Sequence, residues 1–186
     1  MKLLLLRHGQ TAGNLQKRYI GITDEPLCQE GIDQLSALHL PEFEVIVSSP
    51  LKRCIQTAVH LFPNRKIHTV SGFRECVFGD FEGKNFTELN GDPRYQEWID
   101  SGGTVCFPNG EEPEAFQKRS CNAFIETVAQ FKACDSIAMI VHGGTIMSIL
   151  SQFAAPHRDY YGWMCDNGHG WLCECTNLTI HIQEKL

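Results

Sequence analysis

Five side chains able to do nucleophilic, proton-transfer or anion-binding chemistry each come shortly after an apolar run of this chain. Arg7 and His8 come directly after Lys2–Leu6, and His142 comes directly after Ser136–Val141. Arg53 lies five residues beyond Glu44–Ser48, and Glu75 five residues beyond Lys66–Val70. A neutral imidazole is a nucleophile whose phosphorylated product is labile. An arginine fork grips phosphate oxygens at two points and keeps its charge at any relevant pH. A carboxyl group can protonate a leaving alkoxide and later take a proton from water. The set therefore suits phosphoryl transfer through a histidine adduct. Each residue alone has a plainer reading. His142 could cap a helix, Arg53 and Glu75 could be solvated surface charges, and Asn14 could only shape a turn. Their joint placement is what carries the reading.

The runs that precede them read as strands, and the segments between read as helices. Expected strands are Lys2–Leu6, Glu44–Ser48, Lys66–Val70, Ser136–Val141, Gly170–Cys175 and Leu178–Gln183. Expected helices are Gln29–Leu38, a helix from Ser49-Pro50 to Leu61, Glu111–Lys132, and one from His142-Gly143-Gly144 to Phe153. Ser49 serves as N-cap of the second, with Pro50 at its first helical position. Alternating strands and helices predict an α/β fold with a mostly parallel sheet covered on both faces. Ligands of such sheets bind beyond the carboxyl ends of the strands, which is where the five residues fall. Helix N-termini near Thr11, Pro50 and Gly143 would add N–H donors for an anion. Residues 72–110, rich in Gly, Asn, Pro and aromatics, read as an insertion of loops and short helices over the active-site end of a single domain spanning 1–186. Phe78, Phe81, Trp98 and Phe107 in it either line a pocket mouth or pack the insertion.

Bulk properties narrow the class. Apolar residues make up 42% and charged residues 20%, as in an ordinary globular chain, and the net charge of -6 argues against a nucleic-acid-binding surface. No apolar stretch approaches the roughly 20 residues of a membrane span, and Leu3–Leu6 is too short for a secretory leader, so a cytoplasmic protein is expected. The nine cysteines read as reduced core thiols. Cys173 and Cys175, with His169 nearby, have no second ligand pair at zinc spacing, and no metal site is expected. The other histidines (39, 60, 68, 157, 169 and 181) carry no motif.

Several stretches together resemble the histidine phosphatase (phosphoglycerate-mutase-like) superfamily. Arg7-His8-Gly9-Gln10-Thr11 with Asn14 is similar to the family's opening, and Gly21–Leu27 running on to Glu30-Gly31 continues it. Ser48–Arg53 with Gln56-Thr57-Ala58 resembles the second arginine motif. Phe73–Gly83 resembles the general-acid segment, Pro108–Glu111 the loop before the long helix, and Val141–Gly144 the second-histidine motif. The matches keep family order from Met1 to about Leu150. Departures are Cys28, where Thr or Ser is usual and a helix cap would be lost, Thr145 in place of an aliphatic residue, and a loosely matching tail at Asp166–His169.

The resemblance implies that His8 is phosphorylated and that Arg7, Arg53 and His142 cradle the phosphoryl oxygens. Asn14 and Thr11 would assist binding, and Glu75 would be proton donor and then base, with Glu82 the nearest competing carboxylate. No cofactor is implied. The expected partner is a small phosphomonoester, with inorganic phosphate released, and neither nucleic acid nor membrane. The short length and the Phe-Gly-Asp-Phe-Glu-Gly stretch are most similar to the small phosphatases, such as α-ribazole-phosphate phosphatase of cobalamin biosynthesis. A phosphoglycerate mutase, or a binding protein of the same fold without chemistry, are the alternatives. The oligomeric state is unreadable.

Overall fold

A computed structural model describes residues 1–186. Seven strands form one sheet: β1 (Lys2–Arg7), β2 (Val45–Ser48), β3 (Ile67–Thr69), β4 (Ser136–Val141), β5 (Ala154–Ala155), β6 (Gly170–Thr176) and β7 (Thr179–Lys185). Their order across the sheet is β3-β2-β4-β1-β6-β7-β5. β1, β2, β3 and β4 pair in parallel, as do β5 and β7, while β6 runs antiparallel to both neighbours. The sheet is therefore mostly parallel, with β6 the one reversed strand.

The run Leu3–Leu6 has no polar alternation because both of its faces are covered, as in buried parallel strands. Leu3 and Leu5 join a core with Phe124, Ile146 and Trp163, whereas Leu4 and Leu6 join another with Phe43, Cys54 and Phe62. The first face is covered by α5 (Pro113–Gln130) and α6 (Gly143–Phe153), which pack on each other; the second is covered by α3 (Lys52–Leu61), against which α2 (Gln29–Ser36) packs. A short α1 (Ala12–Leu15) follows β1, and α4 (Pro93–Asp100) lies in the insertion. Residues 72–110 contain no strand and gather round a small apolar cluster of Cys76, Phe81, Leu89 and Phe107, joined by Phe116 of α5. None of the helices is long and apolar enough to cross a membrane.

The short strand β5 was not expected from the sequence, and the start of α3 differs from the expectation as well. The helix expected from Ser49-Pro50 begins at Lys52, with Leu51 as its N-cap and no capping side chain of its own. Its first amide, that of Lys52, donates instead to Asp24 Oδ1 at 2.7 Å. The Ser49 hydroxyl lies 2.8 Å from His142 Nε2 and accepts from Leu51 N at 3.4 Å, one residue ahead of the helix's first amide. At Cys28 the lost cap is real: Cys28 is N-cap of α2 and makes no side-chain capping bond.

Candidate active site

His8 leaves the sheet one residue beyond β1, its amide still donating to Val141 O at 3.0 Å. Its Nδ1 stands 2.7 Å from Gly9 O. A carbonyl only accepts, so Nδ1 carries the proton and Nε2 keeps its lone pair. Burial depresses the His8 pKa well below 6.5, and the charges of Arg53 and Arg7 depress it further. The ring is therefore a neutral imidazole with one nucleophilic nitrogen, fixed in tautomer by the backbone just past the strand.

Two guanidinium groups and a second imidazole surround it. Arg53, in the first turn of α3, is wholly buried, and its terminal nitrogens donate to Thr23 O at 2.8 Å and Gly21 O at 2.9 Å. Arg7 donates through Nη1 to Cys165 O at 2.8 Å. Neither arginine forms an ion pair with a carboxylate. The Nε atoms of both are buried without a hydrogen-bond partner. A buried and a half-buried cation, neither paired with a carboxylate, are costly to hold, and a dianionic group between them would offset that cost. His142 follows β4 as N-cap of α6, its ring centroid 5.2 Å from that of His8. Burial, and then Arg53, keep its pKa well below 6.5, so the positive charge of the site resides in the arginines.

Glu75 approaches from the third strand's side. Its Oε1 accepts from the Cys76 amide at 2.9 Å. Burial raises its pKa above 4.5, with the Cys76 amide, Arg53 and Arg7 pulling the other way. A carboxyl held toward its protonated form beside two arginines is suited to donate a proton. Glu82 is occupied elsewhere: its Oε1 accepts from Gly21 N at 2.9 Å and Thr23 N at 3.0 Å, fastening the loop whose carbonyls hold Arg53. Thr11 is also committed, its hydroxyl capping α1 by accepting from the Asn14 amide at 3.2 Å. Asn14 accepts through Oδ1 from Thr11 N at 3.1 Å and from Asn167 Nδ2 at 3.1 Å, which directs its own amide nitrogen away from those bonds.

The tail contributes more than its sequence indicated. Asn167 is buried and donates to His8 O at 3.2 Å, and Cys165 O anchors Arg7. Both lie just before β6, whose reversed direction puts its start, Gly170, beside Leu6 at the carboxyl end of β1. Strand direction has no signature in residue types, so the loosely matching stretch Asp166–His169 was the one sign of Asn167, and nothing local marked Cys165. Thr57, accepting from Gly9 N at 2.9 Å, lies within the Gln56-Thr57-Ala58 motif already noted.

A cleft of about 670 Å³ opens beside Arg7 and Glu75. Tyr19, Phe78, Trp98, Phe107, Tyr160 and Tyr161 line it, while Phe81 packs the insertion's own core. Arg7 is the one cationic side chain in that lining; Glu75 and Glu114 are its carboxylates.

Comparison with known proteins identifies the family. The sequence profile of the histidine phosphatase superfamily (branch 1) matches residues 3–183. The adenosylcobalamin/alpha-ribazole phosphatase of Salmonella typhimurium is 28% identical over 160 residues, covering 82% of this chain and 79% of that protein. A broad-specificity phosphatase of Saccharomyces cerevisiae is 32% identical over 164 residues, covering 81% and 69%. A phosphoserine phosphatase mutant of Entamoeba histolytica, solved with phosphoserine, superimposes with a TM-score of 0.82 at 27% identity, covering 99% and 95%. With profile, relatives and fold in accord, the chain belongs to the histidine phosphatase superfamily (branch 1) and is a phosphatase.

Proposed function

We propose that the chain, as one catalytic unit over residues 1–186 with 72–110 inserted over its site, hydrolyses a bulky aromatic phosphomonoester through phospho-His8. The substrate we assign is α-ribazole phosphate, in a cytoplasm that keeps the nine free thiols reduced. In the first step His8 Nε2 attacks phosphorus and the ester oxygen leaves, taking the proton of Glu75. Arg7, Arg53, His142 and Asn14 hold the phosphoryl oxygens, whose charge grows in the transition state. In the second step water attacks the phosphoramidate, Glu75 carboxylate takes the water's proton, and His8 is regenerated as inorganic phosphate leaves. Thr11, expected among the binding residues, acts by shaping α1 and so placing Asn14.

The observation that carries the substrate class is the large aromatic cleft with Arg7 as its one cation. Aromatic rings on both sides of a cleft suit a flat apolar leaving group. The carboxylates of phosphoserine and phosphoglycerate would face Glu114 with no further cation to meet them, which disfavours those substrates and the mutase reading. The convergence of neutral nucleophile, two unpaired arginines and proton donor disfavours a binding protein without chemistry. Measuring kcat/KM on α-ribazole phosphate, phosphoserine and 3-phosphoglycerate tests the assignment, with α-ribazole phosphate expected to be best by at least tenfold. A preference for either carboxylated substrate, or primer-dependent isomerisation of phosphoglycerate outpacing phosphate release, would overturn it.

A further inference from the structure

The Glu75 segment has little regular structure to hold it: a single 3-10 turn covers Ser71–Phe73 and the chain then runs on irregularly to Phe78. Yet the hydrolytic mechanism proposed above needs its carboxyl group in one place through two proton transfers. The segment is gripped from outside by a side chain of α5. Arg119 donates through Nη1 to Gly72 O at 2.8 Å and to Arg74 O at 2.9 Å. Its Nη2 reaches Glu75 O at 3.5 Å and Glu111 Oε2 at 2.8 Å, and its Nε donates to Glu111 Oε1 at 3.0 Å. A guanidinium has five N–H groups, and here every one is spoken for.

Glu111 completes the grip on the other side of Glu75. Its carboxylate accepts from Val77 N at 3.4 Å, and its own amide donates to Val77 O at 2.9 Å. The pair thus touches the chain at residues 72, 74, 75 and 77. Below the guanidinium lies the Phe116 ring, 5.2 Å from its centre. Phe116 in turn lines the large cleft with Glu75. On the opposite side a second cavity of about 250 Å³ is bordered by Glu75, Glu111 and Arg119 together. Glu75 is the one residue common to both cavities, so it stands between two spaces, with Arg119 and Glu111 bordering the smaller one.

We propose that Arg119, locked by Glu111, is the positioning residue for the proton donor Glu75, a role that rests on the phosphatase mechanism assigned to this site. It touches neither His8 nor the arginines that hold phosphate, so it acts on proton transfer and not on phosphoryl binding. Lysine, with three N–H groups on a flexible stem, replaces only part of the fork. The pair also excludes water from Glu75, so loosening it brings the carboxyl closer to ordinary solvation.

The test compares wild type, Arg119→Met, Arg119→Lys and Glu111→Gln on an alkyl phosphate and on p-nitrophenyl phosphate, with Glu75→Gln alongside. Alkyl phosphates need the proton to leave, and nitrophenolate does not. Arg119→Met is expected to lower kcat on the alkyl phosphate by about 10- to 100-fold, the scale of misplacing a reacting group by an ångström. KM should change by less than about twofold, because the phosphate cradle is untouched. First-turnover release of nitrophenolate should be unchanged, and the alkaline limb of the alkyl-phosphate rate should move to lower pH. Arg119→Lys should fall between, and adding Glu111→Gln to Arg119→Met should cost little more, since the two act as one unit. Wild-type kcat and pH limb in folded Arg119→Met overturn the proposal. If that variant does not fold, the same wild-type values in both Arg119→Lys and Glu111→Gln overturn it. Should Glu75→Gln lose both substrates equally and without a burst, the reading of Glu75 fails, and the positioning role fails with it.

Discussion

Replacing Gly144 by alanine sets local and tertiary preferences against each other. Gly144 is in the first turn of α6, where alanine removes the conformational cost of glycine and on helix propensity alone would stabilise by about 0.5–1 kcal/mol. A Cβ built there, however, falls 2.7 Å from Glu75 Oε1 and 2.9 Å from two ring atoms of Phe116. Reaching an ordinary contact of 3.4 Å requires Glu75 Oε1 to retreat by roughly 0.7 Å and the Phe116 ring by roughly 0.5 Å. Phe116 is 3% exposed within the insertion's core and resists its share of the shift, while the larger displacement falls on the Glu75 carboxyl. Overpacking of this kind costs about 1–3 kcal/mol, which leaves a net destabilisation of about 1 kcal/mol. For a chain of this length that lowers Tm by about 2–4 °C. Displacing the proton donor by most of an ångström should lower alkyl-phosphate turnover by about 10- to 100-fold while sparing the nitrophenolate burst. The neighbouring Gly143→Ala serves as a control, since its Cβ meets Arg7 Nε at 3.4 Å and should leave Tm unchanged or slightly higher. Differential scanning calorimetry and stopped-flow assays read both effects. A Gly144→Ala protein at least as stable as wild type, with alkyl-phosphate turnover within twofold, would refute the reasoning.

Two further predictions concern a cap and pH. Cys28→Ser restores an acceptor at the unfilled N-cap of α2 and should stabilise by about 0.5–1 kcal/mol, raising Tm; an unchanged Tm would mean that the hydroxyl keeps the thiol's bond to Gln10 O instead. The proposed first step needs His8 neutral and Glu75 protonated, so kcat/KM on alkyl phosphates should be bell-shaped, falling on the acid side as His8 gains a proton and on the alkaline side as Glu75 loses one. His8 and His142 have folded pKa values below the unfolded 6.5, so their contribution to stability is present above pH 6.5 and is lost as pH falls through the folded values. Tm should accordingly drop on acidification from that point, and His142→Gln should flatten the drop; a Tm that rises on acidification through the same range contradicts the assignment. Glu75 works in the opposite sense, its raised pKa adding stability below 4.5 that is lost as pH rises through the folded value.

The strand ends of this chain were legible because a buried parallel strand is an unbroken apolar run. Leu3–Leu6 and Ile137–Val141 mark their own limits, and the polar residues directly after them, Arg7-His8 and His142, are thereby placed. The α/β class and the covering of both faces come from the same runs. The features that stayed hidden depend on partners far along the chain. Ser49 looked like a helix cap because nothing local reveals that its hydroxyl meets His142, 93 positions away. Asn167 and Cys165 reach the site only because β6 runs backward, and a strand's direction is set by how connections pack, not by its residues. Glu82 and Glu75 are equivalent in composition and differ by where their carboxylates end: one on the amides of Gly21 and Thr23, the other on the amide of Cys76 at the edge of the large cleft. The aromatics of the insertion divide in the same way, Phe81 inward and Trp98 toward the cleft, and alternation cannot separate them in irregular backbone.

Every role proposed for the site's residues depends on a phosphoryl group carried by His8 Nε2. Trapping it is the direct measurement: Glu75→Gln is mixed with p-nitrophenyl phosphate, quenched at alkaline pH during the slow phase, and examined by intact mass and peptide mapping. The expected result is a nitrophenolate burst equal in amount to the enzyme, a mass increase of one phosphoryl group, acid lability of that group, and its assignment to His8. A burst-free reaction with unmodified protein, or a phosphoryl group mapped to His142 or to any other residue, would contradict the phospho-His8 mechanism.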